Sequence, residues 1–116
     1  MTGGEVDGLS AKLEAPDPGT VVIRLDGELD LATRDQIVLV VRGVLPTFHP
    51  DTLVLDLGGV SVLDSAGIGA LVSCWKLAQD AGCALRLRNP RPLAYAQLRL
   101  TGLLDVFALA ETVQPR

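Results

Sequence analysis

Aromatic residues are nearly missing from this chain of 116 residues, which has one Trp, one Tyr and two Phe. Basic charge is short as well, with ten Lys and Arg against fourteen Asp and Glu and a net charge of −4. A nucleic-acid surface needs a basic stripe with aromatic platforms, so no direct DNA or RNA binding is expected. Cysteine is represented only by Cys74 and Cys83, which form neither a CxxC pair nor a disulfide framework. No His or further Cys stands at metal-ligand spacing, so no metal and no cofactor is expected, and a reduced, cytoplasmic chain is the simplest reading. Both thiols read first as ordinary core residues, with redox sensing as the rarer alternative. No apolar run reaches the length of a membrane span, and the N-terminal MTGGEVDG lacks the apolar segment of a secretion signal, so membrane insertion is not expected.

Catalytic constellations are missing too. The single histidine, His49, sits between Phe48 and Pro50, so a Ser-His-Asp triad would depend on it alone. A nucleophile elbow at Ser65 would need glycine two residues earlier, where Leu63 stands. Gly67-Ile68-Gly69 begins like a dinucleotide fingerprint, but Val72 takes the third glycine position and no GxxxxGK[ST] loop occurs. Asp26, Glu28 and Asp30 alternate, which on a strand would aim three carboxylates to one side. Without further ligands, an acidic, solvated strand end is the better reading. Catalytic residues are therefore not expected, and the chain is read as no enzyme.

What is present is apolar. Hydrophobic residues make up 48% of the chain, enough for one core, and the reading is a single domain over 1–116 with residues 1–8 and 111–116 as flexible ends. Leu9 to Glu14 alternates as LSAKLE, APDPG supplies a turn, and Val21–Leu25 is β-branched and bounded by glycines, which together predict a hairpin. Thr33-Arg34-Asp35-Gln36 fits a capping box, and Ile37, Val40, Val41 and Val44 follow at helical spacing, so a helix is predicted there, ended by Pro46. Leu53–Leu57 before Gly58-Gly59 reads as a strand buried on both faces, at the centre of a sheet. Ile68, Leu71, Val72, Trp75 and Ala78 predict a second helix from Ser65 onward, with Gly82 as its terminator and Trp75 in the core. Ala84–Arg88 alternates as a strand, and Pro92 opens a helix carrying Leu93, Ala96 and Leu100 inward and stopped by Gly102. Val106 to Leu109 is a last short apolar piece. The sum is an α/β domain, with a single mixed four- to five-stranded sheet, an opening hairpin, and then α and β in alternation.

Charge is uneven. Acids dominate the first thirty residues while Arg86, Arg88, Arg91 and Arg99 cluster late, a pattern that suits a protein partner or merely solvated faces. Ser65 stands where a buried strand gives way to an amphipathic helix, beside the unpaired N–H groups of a first turn. Asp64 or Ser65 serves as N-cap there, and capping explains a serine at this place about as well as modification does. A phosphate on Ser65 would add about −1.5 to −2 charges near the positive end of the helix dipole and beside Asp64. It would also approach Asp30 if the second strand ends close by, and would repel a partner's carboxylates without unfolding the domain.

Three stretches resemble a known family. They are Gly27-Glu28-Leu29-Asp30-Leu31-Ala32-Thr33, the run Leu55–Val60 leading into Leu63-Asp64-Ser65-Ala66-Gly67-Ile68-Gly69-Ala70-Leu71, and Leu100-Thr101-Gly102-Leu103 followed by Phe107. In order and spacing they are similar to the STAS domain, and specifically to stand-alone bacterial anti-sigma factor antagonists. The resemblance implies partner switching in transcription regulation. The unphosphorylated antagonist holds an anti-sigma factor that is also a serine kinase, is released when phosphorylated, and is restored by a metal-dependent serine/threonine phosphatase. By position, it implies phosphorylation at Ser65, with Asp30, Asp64, Ser65, Ala66, Gly67, Ile68 and Gly69 as the partner- and kinase-binding set. Ala66 stands where the family often has a second Ser or Thr, which leaves Ser65 as the one acceptor. The resemblance also implies a further helix in many relatives after the segment that here ends Glu-Thr-Val-Gln-Pro-Arg, and a missing cover there would expose an apolar face or invite a homodimer. The competing reading is a STAS accessory subunit of a transporter, or a nucleotide-sensing module, not switched by phosphorylation.

Overall fold

In the computed structural model, which describes residues 8–109, the alternating LSAKLE segment opens a strand that runs on to Asp17 (β1, Leu9–Asp17). It pairs antiparallel with β2 (Thr20–Leu29) through a tight turn in which Gly19 has φ +90°. The expected flexible ends lie, Gly8 apart, outside the described residues. There follow α1 (Arg34–Phe48), β3 (Thr52–Leu63), α2 (Ser65–Asp80), β4 (Ala84–Arg88), α3 (Pro92–Leu100) and β5 (Ala108–Leu109). The five strands form one sheet in the order β1-β2-β3-β4-β5, with β2 to β5 mutually parallel, so the mixed sheet and the alternation of α and β are as predicted.

Successive strand residues face opposite ways, and this divides the sheet into two chemically different surfaces. Val21, Ile23 and Leu25 of β2, Leu53, Leu55 and Leu57 of β3, and Leu85 and Leu87 of β4 form one cluster. It also takes in Ile37, Val41, Val44 and Leu45 of α1 and Leu71, Cys74 and Ala78 of α2. Each fully buried Leu or Ile in it contributes roughly 1.5–3 kcal/mol relative to exposure. The opposite face carries the row Lys12, Arg24, Asp56 and Arg88 across four strands. There Arg88 donates to Asp56 Oδ2 from Nε at 3.1 Å and Nη2 at 3.0 Å, while Gly58 N–H donates to Oδ1 at 2.8 Å. Val54 and Asp56 are buried on this face as well, so β3 is the covered central strand that its apolar run predicts.

Several boundaries differ from the sequence expectation. β1 passes through Pro16 because an edge strand tolerates a residue that cannot donate, and a register shift between Glu14 and Asp17 absorbs the irregularity. β3 does not stop at Gly58-Gly59. The two glycines form a bulge, since Arg24 pairs with Asp56 but Asp26 pairs with Gly59, and a Cβ on Gly59 would lie 2.8 Å from the Leu25 carbonyl oxygen. Nor does Pro46 end α1, which continues to Phe48 with Thr47 Oγ1 donating to Gly43 O at 2.8 Å and His49 closing it in the left-handed region, φ 47°. Thr33 precedes α1 without the expected capping box: its hydroxyl turns back to β2 instead of capping the helix. α3 is rotated relative to prediction, with Ala94 and Leu98 inward and Leu93 and Leu100 78% and 82% exposed. Gly82 terminates α2 as expected, with φ +71° and Cys83 N–H donating to Ala78 O at 2.8 Å. Among the described residues no helix is long and apolar enough to cross a membrane.

Candidate functional site

Two loops meet at the end of the sheet where β2 and β3 finish side by side, Leu29 paired with Leu63. In the first, Asp30 Oδ1 accepts from Ala32 N at 3.0 Å and from Thr33 N at 3.2 Å, an Asx turn. Thr33 Oγ1 donates to Glu28 O at 2.8 Å and accepts from Asp30 N at 3.0 Å, and the residue is buried. The turn is therefore held from inside as well as by its own carboxylate. In the second loop, Asp64 is extended and its Oδ1 accepts from Gly67 N at 2.9 Å, so Asp64 caps α2 and Ser65 is the first helical residue. Asp64 Oδ2 also lies 3.4 Å from Leu31 N, and Asp64 N donates to Leu29 O at 3.3 Å, which ties the two loops together. The sequence left the cap open between Asp64 and Ser65. Because Asp64 takes it, the exposed Ser65 hydroxyl is not engaged by a protein partner among the described residues.

Close approach of α2 to β2 makes this meeting possible. Gly67 is buried against the end of β2, and a Cβ there would sit 2.2 Å from Leu29 O. Ile68 also faces the core, partly buried. Of the sequence-selected run, Ser65 and Gly69 are exposed, Ala66 is half-buried, and Gly67 and Ile68 position the helix from beneath. Asp30 and Asp64 come together through Leu31, itself 65% exposed.

Sequence reading missed the opposite wall. An open groove of about 420 Å³ runs between α1 and α2, lined by Ser65, Ala66, Gly69, Ala70 and Ser73 on one side and Arg34, Asp35 and Val38 on the other. One local signal pointed there, a cation at the first position of α1, where the helix dipole disfavours positive charge. Loss of the cap tests the construction: Asp64→Ala is expected to cost about 1 kcal/mol and to lower the melting temperature by on the order of 4 °C, measured by calorimetry.

The remaining candidates do not form a second site. Asp26 and Glu28 line one open hollow at the surface, but the Asp30 carboxylate does not join them, since its Oδ1 is taken up by the Ala32 and Thr33 N–H groups of its own loop. No group of three His, Cys, Asp or Glu side chains able to hold a metal ion occurs among the described residues. His49 is an exposed helix-closing residue, and Trp75 packs partly buried against the core. Cys74 and Cys83 are both buried and free, and burial pushes the Cys74 thiol up to about 12. A thiol held neutral is a poor nucleophile, so a disulfide reagent at pH 8 is expected to leave Cys74 unmodified until the chain unfolds, read by absorbance of the released thiolate. The same elevation means that the thiol's contribution to stability is complete below about pH 9 and is lost as the pH rises toward 12, because the unfolded thiol ionises first.

The STAS domain family model matches residues 13–115. An "Anti-sigma F factor antagonist" from Lysinibacillus sphaericus is 30% identical over 92 residues, 79% of each chain. A crystal structure of an anti-sigma factor antagonist from Mycobacterium paratuberculosis is 28% identical, with a TM-score of 0.73 over 91% of this chain and 88% of that one. The anti-sigma factor antagonist SpoIIAA in its unphosphorylated form is also 28% identical, with a TM-score of 0.69 over 81% of this chain and 82% of that one. Its phosphorylated form, from Bacillus, is similar at 27% identity and a TM-score of 0.65, over 83% and 86%. With the sheet order, the paired loops and the match over residues 13–115 all in agreement, the chain belongs to the STAS domain family.

Proposed function

We propose that this protein is an anti-sigma factor antagonist that holds an anti-sigma factor of the serine-kinase type while Ser65 is unmodified and releases it once Ser65 is phosphorylated. The observation that carries the reading is the unengaged hydroxyl of Ser65 at the exposed start of α2, in a groove walled by α1 and beside two loops fixed by Asp30 and Asp64. Asp64 does the capping, so helix α2 does not need the Ser65 hydroxyl, which is left to meet a phosphoryl donor. Relatives with 30% and 28% identity carry the name of anti-sigma factor antagonist, and SpoIIAA is known in both unphosphorylated and phosphorylated forms.

The transfer needs a nucleoside triphosphate held by the kinase. The Ser65 Oγ–P bond forms as the bond from the γ-phosphorus to the bridging oxygen breaks, the diphosphate departs, and the serine proton passes to a base of the kinase. This chain supplies the acceptor and its orientation rather than catalysis. A metal-dependent serine/threonine phosphatase would return Ser65 to the binding form, and the output would be release of a sigma factor for transcription. A cytoplasmic location follows from such partners.

Ser65→Ala as bait in a native cytoplasmic extract tests the proposal, since the unmodifiable chain is expected to retain a protein with a nucleotide-binding kinase domain, identified by mass spectrometry. Recovery of membrane transport proteins and no kinase would favour a transporter accessory instead.

A further inference from the structure

Arg34 and Ser65 line the same groove from opposite helices, and Arg34 is the only cation in its lining among the described residues. The other charged groups of the groove lining and the two loops that the described residues show are acidic: Asp64 beside Ser65, Asp35 in the groove wall and Asp30 in the adjoining loop. Asp30 Oδ1 and both oxygens of Asp64 are already used by backbone N–H groups of the loops and of α2. Arg34 takes part in no ion pair among the described residues, although Arg24 and Arg88 both do. Its place at the start of α1 is also unfavourable for a cation, so the local helix gives no reason for it. A guanidinium without a carboxylate partner among the described residues, in the same open groove as a serine, is a ready receiver for a phosphate, which it binds through paired N–H donors.

Resting on the reading of Ser65 as the acceptor, we propose that Arg34 clamps the Ser65 phosphate within the same chain, so that the modified side chain folds into the groove between α1 and α2. The phosphate then does two things. It adds negative charge at the docking surface, and it fills the space that a partner would enter beside Ala66, Gly69 and Ser73. Release becomes an occlusion as well as a repulsion, and Arg34 is the positioning residue for it.

The test uses the full chain with phosphoserine installed at position 65 by genetic encoding, so it needs neither kinase nor partner. Phosphorus NMR titration reads the second ionisation of the phosphate. With Arg34 present its midpoint is expected about half a unit below that of Arg34→Gln, because a nearby cation favours the dianion. Arg34→Lys is expected to recover part of the difference, as a point charge without the fork geometry. Superimposable titrations of the unchanged protein and Arg34→Gln, or a lysine variant indistinguishable from glutamine, would overturn the clamp. Folding of each variant is verified by its amide proton spectrum, and a failed clamp would leave the switch at Ser65 standing on its own separate binding test.

Discussion

Gly67→Ala is expected to destabilise the protein by about 3 kcal/mol, whereas Gly69→Ala, two residues along the same helix, is expected to stabilise it by roughly 0.5–1 kcal/mol. Helix propensity favours alanine at both positions, so propensity alone predicts the same sign for the two variants. The surroundings reverse it at one of them. A methyl group at Gly67 would lie 2.2 Å from the Leu29 carbonyl oxygen, while one at Gly69 meets nothing within 4 Å. Leu29 cannot retreat easily, because it pairs with Leu63 and its carbonyl accepts from Asp64 N at 3.3 Å. Relief must come from lifting the first turn of α2, which would loosen the Asp64 cap and the junction that presents Ser65. Urea unfolding of both variants checks the opposite signs, and equal effects would mean that α2 does not rest on the end of β2 in this way.

Phosphorylation of Ser65 is expected to weaken binding of the proposed anti-sigma partner about 100-fold, roughly 2.7 kcal/mol, while leaving the domain folded. The two halves of this expectation have separate causes. Within the chain, the phosphate sits at the N-terminal end of a sixteen-residue helix, where the dipole favours an anion by about 0.3–1 kcal/mol and offsets repulsion from Asp64. Across the proposed interface the same group would bring about −1.5 to −2 charges into a groove lined by the small residues Ala66, Gly69 and Ser73. Like-charge contact and a desolvated phosphate together cost several kcal/mol there. Ser65→Glu carries less charge and fewer acceptors and should give a smaller loss, and Ser65→Ala should bind as the unmodified chain does. Calorimetric titration of the captured partner with the four forms checks the order, and a melting temperature of the phosphorylated form within a few degrees of the parent checks the fold.

Local chemistry explains how much of this fold is legible in the sequence. The hairpin, the central strand and the start of α2 are written in short-range patterns, alternation in LSAKLE, an unbroken apolar run at Leu53–Leu57, and Asp-Ser before helical spacing. The candidate stretch at Asp64-Ser65 was legible as a helix start because a strand that ends on a cap necessarily presents the next side chain there. What escaped depends on contacts between distant segments. Gly58-Gly59 reads as a strand end until Asp56 is seen to hold Gly58 N across a bulge. Leu93 and Leu100 read as inward-facing by spacing, but the helix turns Ala94 and Leu98 to the core, where Phe107 is also buried. Gly67 shows its need only against Leu29, thirty-eight positions earlier. Arg34 belongs to the groove only because α1 packs along α2, a relation no window of sequence contains.

The central claim is that one hydroxyl, that of Ser65, controls partner retention. Its most direct test adds a magnesium nucleoside triphosphate to the purified complex of this chain with the captured kinase and follows intact mass and complex size together. The expected result is one phosphate, mapped to Ser65, appearing in step with dissociation, and neither event with Ser65→Ala. Dissociation of the Ser65→Ala complex at the same rate, or a phosphate mapped to Ser61 or Ser73, would contradict it.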